Sequence, residues 1–583
     1  MVCSVWGDPH MSWFCDVPTH LLLDIREKIR FNMADFNTTL YMILGVRVRI
    51  HKTANTFFVT LIAAFVFIWQ SFPAAAQAND VAYQMALSKA LARDTQALNY
   101  YKSVTFKPIW IDKSNAARTR RAALFEALEN SAGHALPRQS YDVDGLKAAL
   151  SSARTTADLG TLEGRLTAAF LAYVRDISTG ILVPSKVDAD IVRVVPQIDG
   201  AGFLTAFVKS SPRNFLKAVA PKSAEYNRLL DEKEKLLRVI ANGGWGPKLR
   251  DKKLTPGTTG KDVVALRDRL MSQGYLKRSV TTTYDADIQK AVQQFQMDHG
   301  LSADGVAGSG TISELNVSAN DRLASVVVAM ERERWMNIDM GKRHVKVNLT
   351  DFTAKIINNG RIEFQTRSVV GTNKDGQRSP EFSDEIEHMV INPTWNVPRS
   401  ITVKEYLPAM QKNPNAHSYL NLINTSGQVV SRSGIDFSQY NEQTFPFDLK
   451  QPPSDRNALG LVKFMFPNKY NIYLHDTPSK NLFGRETRAF SHGCIRLADP
   501  FDFAYALLSV QSSDPKGTFR AALDSGRESV ISLEKHVPVH LMYRTAITKP
   551  TGGIEYRRDV YGRDAKIFNA LVRAGVVIGS IKG

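Results

Sequence analysis

The spacing of hydrophobic residues changes character twice along the chain. From Asn79 to about Ala241 apolar residues recur at helical intervals, as in "DVAYQMALSKALARDTQALNYYKS" and "RRAALFEALENSAGH", both rich in alanine and leucine. A helical domain is predicted over residues 79–241, interrupted by "VTFKPIWID" with Pro108. No chemistry-bearing pattern stands out in it. A Gly-Pro-Lys-rich linker, "NGGWGPKLRDKKLTPGTTG", follows. Residues 259–318 then read as a small helical unit. Val263, Leu266 and Leu270 mark one face, ended by Gly274-Tyr275. Ile288, Val292 and Phe295 mark a second, closed by His299-Gly300-Leu301.

From about His344 the period becomes two. Val345, Val347 and Leu349 alternate with polar residues, and so do Ile362 and Phe364 after the turn at Asn358–Gly360. Val537, Val539, Leu541 and Tyr543 repeat the pattern near the end. The last third, about residues 340–567, is therefore strand-rich. Residues 401–460 break the alternation with short helices and loops, which predicts an insertion that could cover a site. The whole reads as a multidomain α+β protein, with a strand-rich, β-sandwich-like last domain.

Composition adds a partner class. The chain has 583 residues, enough for three or four domains, with 44% hydrophobic and 22% charged residues and a net charge of +17. That balance suits an anionic partner. The cations are scattered, and no zinc-finger spacing or aromatic-basic run argues for nucleic acid.

The N-terminal region specifies the compartment. Arg47, Arg49 and Lys52 precede an apolar stretch of 13 residues, Phe57–Trp69, and Ala76-Gln77-Ala78 follows. Basic, apolar, then small is the order of a secretory signal. A membrane span needs about 20 residues, so an uncleaved anchor is the weaker reading. Residues 42–78 are expected to be this signal, with translation starting at Met42 and residues 1–41 outside the product. Cys3 and Cys15 precede the signal, so the exported protein would keep Cys494 alone.

Cys494 lies in Ser491-His492-Gly493-Cys494, 19 residues after His475. A thiol attacks as thiolate, so it needs a base. His492 is too close in sequence to present its ring well. "YNIYLH" reads as a strand ending at His475, and the loop after it is long enough to return. His475 is thus the candidate base, and His492 shapes the loop. Gly493 permits a backbone that aims successive N–H groups at one point, as an oxyanion hole requires. Asp499 and Pro500 open a helix whose Phe503, Leu507 and Val510 should face the core. Three other uses stay open: an inert core cysteine, a zinc site from His475, Asp476, His492 and Cys494, and a core histidine at 475.

"SHGCIRL", residues 491–497, with His475 upstream and "GTNKDGQRSPEFSDEIEHMVINPTWNVPRSI" from Gly371, resembles the catalytic domain of the L,D-transpeptidases (YkuD-like). The resemblance runs from about Val345 past Ser509, with Ser379 where threonine is frequent before Pro380. Residues Val263–Asn316 resemble the three-helix peptidoglycan-binding module. The combination is similar to large multidomain members from Gram-negative bacteria, in which the insertion forms a capping subdomain.

The resemblance implies Cys494 as nucleophile and His475 as base, oriented by the Asp476 carbonyl. It implies main-chain N–H groups of His492, Gly493 and Cys494 for the oxyanion, with Ser491 beside the substrate. Tyr473 and Trp395 would line the substrate groove, and Arg496 would hold the loop or meet a substrate carboxylate. It further implies a cross-link between the third residues, diaminopimelate, of two stem peptides. Water or a protein lysine as acceptor would make it a carboxypeptidase or a protein-to-wall ligase instead. A wall-binding scaffold without catalysis is the rival from another class. Acyl transfer needs no metal or cofactor. The expected setting is the periplasm, on peptidoglycan and beside other wall-synthesis enzymes. Membrane contact would come only through an uncleaved signal.

Overall fold

The computed structural model describes residues 73–577. The expected signal lies outside the described residues up to residue 72, and Ala76-Gln77-Ala78 falls in the first turns of the helix Pro73–Ala90. Among the described residues no helix is long and apolar enough to cross a membrane.

The N-terminal region is helical, built around Trp110, Phe170 and Phe207. The longest helix there, Thr156–Thr179, starts with a Thr155–Asp158 capping box. The predicted helical block is not one core, however. Its last helix, Ala224–Ala241, joins a separate cluster with a connecting helix, Ala319–Trp335, and with C-terminal residues from Ala546 to Val576. Segments distant in sequence thus share one core. No local periodicity could announce that.

The second unit has helices Lys261–Ser272, Ala286–Asp298 and Ser309–Leu315. All six face residues named above are fully buried. It docks on the C-terminal segment: Lys549 binds the Asp298 carboxylate at 2.9 Å, and Arg558 reaches Glu314 at 3.1 Å.

The strand-rich domain contains β1 (Arg343–Asn348), β2 (Thr353–Asn358), β3 (Arg361–Gly371) and β4 (Ser383–Ile391). Next come β5 (Trp395–Asn396), β6 (Asn421–Ile423), β7 (Val429–Val430) and β8 (Asp448–Gln451). They are followed by β9 (Val462–Met465), β10 (Leu474–His475), β11 (Ala489–Ser491) and β12 (Ile495–Leu497). The long β13 (Ser529–Met542) and the hairpin β14 (Ala546–Thr548) and β15 (Ile554–Tyr556) end the series.

One sheet has the order β11-β3-β12-β10-β9-β4-β13-β1-β2, and β2 also pairs with β3. The two layers expected of a sandwich are therefore parts of one sheet that closes on itself, leaving few free edges. The β2–β3 turn is Asn359-Gly360, both with positive φ (48° and 78°), as a tight hairpin of this hand requires. Val345, Val347, Leu349, Val539 and Leu541 are fully buried, whereas Ile362 is 56% exposed. The helix after the cysteine loop is Pro500–Leu508. Phe503 and Leu507 face the core, but the helix stops before Val510, which is exposed.

The insertion is more than helices and loops. Its strands pair as β5-β8-β6-β7 around a core of its own that includes Leu407, Met410, Phe437 and Leu449.

Candidate active site

β10 runs parallel to β12, with Leu474 opposite Ile495 and His475 opposite Arg496. At the start of β12, Ile495 N–H donates to the Tyr473 carbonyl at 3.0 Å. Leu474 and Ile495 point into the core. Side chains alternate along a strand, so Tyr473, His475, Cys494 and Arg496 share the opposite face.

His475 is 3% exposed. Its Nδ1 donates to the Asp476 carbonyl at 2.5 Å, which leaves Nε2 as the basic nitrogen. The Asp476 main chain is itself tied down. Its carboxylate accepts from Leu461 N–H at 2.9 Å and from Lys480 at 2.6 Å. Gly460 makes room, because a Cβ there would lie 2.2 Å from Asp476 Oδ2. Burial, then the Arg496 charge, pushes the His475 pKa down to about 3. Burial pushes the Cys494 thiol up to about 11. The resting pair is therefore neutral thiol and neutral imidazole.

Cys494 Sγ donates to the Asn471 carbonyl at 3.5 Å, not to His475. Cys494 directly precedes β12, so it lies diagonal to His475 across the β10–β12 pairing. Tyr473 lies against both: its ring is 5.6 Å from that of His475, edge to face, and its hydroxyl contacts Cys494.

The cysteine loop is braced from inside. Ser491, expected at the substrate, is buried. Its hydroxyl donates to the Cys494 carbonyl at 2.6 Å and accepts from Gly493 N–H at 3.1 Å. This corrects the expected oxyanion set, because the Gly493 N–H is already spent. Among the described residues no acceptor meets the N–H of His492 or of Cys494. Gly493 has φ 120° and would bring a Cβ within 3.1 Å of Ile472, so glycine is needed there.

His492 points out of the loop. Its Nε2 meets Glu405 of the insertion at 2.7 Å, and Glu405 also accepts from Gln377 at 3.4 Å. Trp395, expected in the groove, is instead part of the insertion's core and 8% exposed. Tyr473 packs against that core as well as the barrel's. Arg496, read first as a loop holder, makes no side-chain hydrogen bond among the described residues, and its Nε is buried without a partner. Asp499 caps its helix without a side-chain bond and accepts from Thr366 at 2.7 Å. Glu405, Gly460 and Lys480 were not singled out from sequence. Only the glycine carried a signal, and a lone glycine is common.

A closed barrel with an imidazole and a thiol on one face is a framework for acyl transfer. Residues 342–518 match the L,D-transpeptidase catalytic domain family (YkuD), residues 95–232 the scaffold domain family, and residues 259–315 a "Putative peptidoglycan binding domain". Three successive stretches of the chain are thus similar to a scaffold domain, a peptidoglycan-binding-type module and an L,D-transpeptidase catalytic domain. It is 31% identical over 243 residues to a "Putative L,D-transpeptidase" of Haemophilus influenzae, covering 41% of this chain and 48% of that protein. The chain therefore spans about half the length of that relative. Solved structures of L,D-transpeptidases from Xylanimonas cellulosilytica (14% identity, 51% of this chain and 98% of the other, TM-score 0.15) and Stackebrandtia nassauensis (16%, 51% and 97%, TM-score 0.21) are more remote.

Proposed function

We propose that the protein is a peptidoglycan L,D-transpeptidase working through a thioester on Cys494. The observation that carries this is the shared face of Tyr473, His475, Cys494 and Arg496, with His475 Nδ1 spent on the Asp476 carbonyl. The family match over residues 342–518 supports it.

In this reading His475 Nε2 takes the thiol proton as sulfur attacks the carbonyl between diaminopimelate and D-alanine of a tetrapeptide stem. The free N–H groups of Cys494 and His492 face the developing oxyanion. The C–N bond breaks, D-alanine leaves with the proton held by His475, and the thioester remains. The side-chain amine of a second stem then attacks, His475 takes its proton, and the thiol is restored. Because the pair rests neutral, the proton moves during attack and not before it. Arg496, a cation with no side-chain hydrogen bond among the described residues, would meet a stem carboxylate. The charge of +17 suits residence on an anionic wall outside the inner membrane. Peptidoglycan is the partner, and the 259–315 module adds a second point of attachment.

Intact-protein mass spectrometry with a tetrapeptide stem tests this. The expected adduct is the stem less D-alanine, mapped to Cys494. A protein that consumes the stem without an adduct on Cys494, or leaves it untouched, overturns the reading. Muropeptide analysis then separates a second stem from water or a protein lysine as acceptor.

A further inference from the structure

The cysteine loop is held from a part of the chain outside the matched catalytic domain. Gly493, next to the nucleophile, has its carbonyl bound by Ser379 Oγ at 2.6 Å. Ser379 Oγ accepts in turn from Gly371 N–H at 2.9 Å. Gly371 lies at the end of β3, where a Cβ would come within 2.1 Å of the Gln377 carbonyl. Ser379 and Gly371 are then both gripped by one residue beyond 518. The Tyr561 hydroxyl donates to the Gly371 carbonyl at 2.6 Å and accepts from Ser379 N–H at 3.4 Å. Arg563 Nη2 donates to the Ser379 carbonyl at 2.9 Å.

These two residues are themselves fixed. Tyr561 is 3% exposed, and Arg563 is fully buried. Tyr561 N–H donates to the Tyr543 hydroxyl at 2.8 Å, and the two rings stack at 5.6 Å. The Arg563 guanidinium lies 4.8 Å from the Tyr561 ring and bonds Glu381 at 3.2 Å. Glu381 is also paired with Arg332 of the connecting helix Ala319–Trp335. A chain of buried contacts therefore runs from that helix and the C-terminal segment to the carbonyl of Gly493.

We propose that Tyr561 and Arg563 are positioning residues for the oxyanion-binding loop, acting through Ser379. The peptide after Gly493 carries the N–H of Cys494, one of the two free donors. Ser379 holds the carbonyl of that same peptide. Its direction fixes where the N–H points, and Tyr561 fixes Ser379. The inference rests on the acyl-transfer reading above. It goes beyond it by giving the segment after residue 518 a part in catalysis.

The experiment compares two reactions of Cys494 in the full-length protein. Acylation by the tetrapeptide stem forms an oxyanion. Alkylation by iodoacetamide forms none. Tyr561→Phe removes the hydroxyl and keeps the ring. It should lower the maximal acylation rate about 10-fold or more, since sub-ångström misplacement of a donor is costly. The stem concentration at half-maximal rate, and the alkylation rate across pH 7–10, should stay as in wild type. Equal acylation by the variant and wild type overturns the proposal, as does a parallel fall of both reactions in a folded variant. Should Tyr561→Phe fail to fold, Ser379→Ala and Ser379→Thr take its place. Threonine keeps the hydroxyl and should restore acylation that alanine loses, and equal loss in both overturns the proposal. Wild-type protein that alkylates but never acylates overturns the transpeptidase reading and this inference with it. Failure of the inference alone leaves wild-type acylation intact.

Discussion

Two buried polar clusters in this molecule are built to opposite rules. In the scaffold, Glu163 is fully buried and its carboxylate is saturated. It accepts from the Tyr101 hydroxyl at 2.6 Å and from the N–H groups of Ile109, Trp110 and Ile111. Burial raises its pKa to about 7 despite those bonds. Three successive N–H groups of the non-helical stretch "VTFKPIWID", those of Ile109, Trp110 and Ile111, are thereby satisfied by one acid. On the face beside Cys494 the economy is reversed. The N–H of Cys494 and the Nε of Arg496 have no partner among the described residues, and the thiol has a long contact to Asn471 beside the Tyr473 hydroxyl. Unmade bonds cost stability, so a site that keeps them is reserving them for something else. The scaffold spends its polar groups on its own backbone, and in the proposed reading the face beside Cys494 keeps them for a substrate.

The comparison breaks most sharply at the nucleophile. Cys494→Ala should abolish the stem adduct altogether and leave the melting curve nearly unchanged, since a small, partly exposed side chain is lost. Residual adduct on any other residue would move the reserved face elsewhere. His475→Gln should lower acylation about 100- to 10,000-fold, the usual worth of a positioned general base. Glu163→Ala should do the converse. Stability should fall by roughly 3–5 kcal/mol, because three main-chain donors lose their acceptor inside a core. Acylation per folded molecule should hold. Denaturant unfolding and active-site titration of the same samples separate these effects. A Glu163→Ala protein that is stable but inactive would mean the scaffold cluster serves the site.

The sequence made some of this legible and hid the rest for physical reasons. Helical and alternating periodicities are local, so the six face positions of the 259–318 unit and the alternating stretches Val345–Leu349 and Val537–Leu541 could be read directly. Cys494 and His475 stood out because rare residue types occupied a glycine turn and a strand end. Trp395 did not behave as expected, since an aromatic residue ahead of an insertion serves the insertion's core as readily as a groove. The pairing of β1 with β13 and of β3 with β12, which closes the sheet around the local β2–β3 hairpin, and the core that joins Ala224–Ala241 to the C-terminus, depend on segments more than a hundred residues apart. The occupied Gly493 N–H was invisible for a smaller reason. Nothing in the local sequence tells that Ser491, two residues back, turns its hydroxyl inward.

A pH titration sharpens the electrostatic side of the comparison. The Cys494 thiol pKa is raised to about 11, so the thiolate fraction at pH 7 is lower than for a free cysteine near 8.5. The alkylation rate should therefore keep climbing about tenfold per pH unit from pH 7 to 10, without a plateau near 8.5. A plateau at low pH would instead mark a preformed thiolate–imidazolium pair, and the proton would then move before attack.

The smallest effect bears on which histidine is the base. His492 and Glu405 form an exposed contact, with side chains 40% and 41% accessible, between the cysteine loop and the insertion. Such pairs are worth about 0.2–1 kcal/mol and weaken with salt. If His492 only ties the insertion to the loop, Glu405→Gln should change acylation by about 1.4- to 5-fold. The change should fall mainly on the stem concentration needed, and salt should mimic it in wild type. If His492 were the base, Glu405 would orient its ring as a carboxylate partner. Removing that charge would then lower the maximal rate by far more and shift its pH dependence. His475 has the opposite wiring, a carbonyl partner and no carboxylate, so its rate should not respond to Glu405. A large rate loss in Glu405→Gln with a shifted pH profile would reassign the base from His475 to His492. A small loss confined to substrate concentration leaves the proton with the buried histidine.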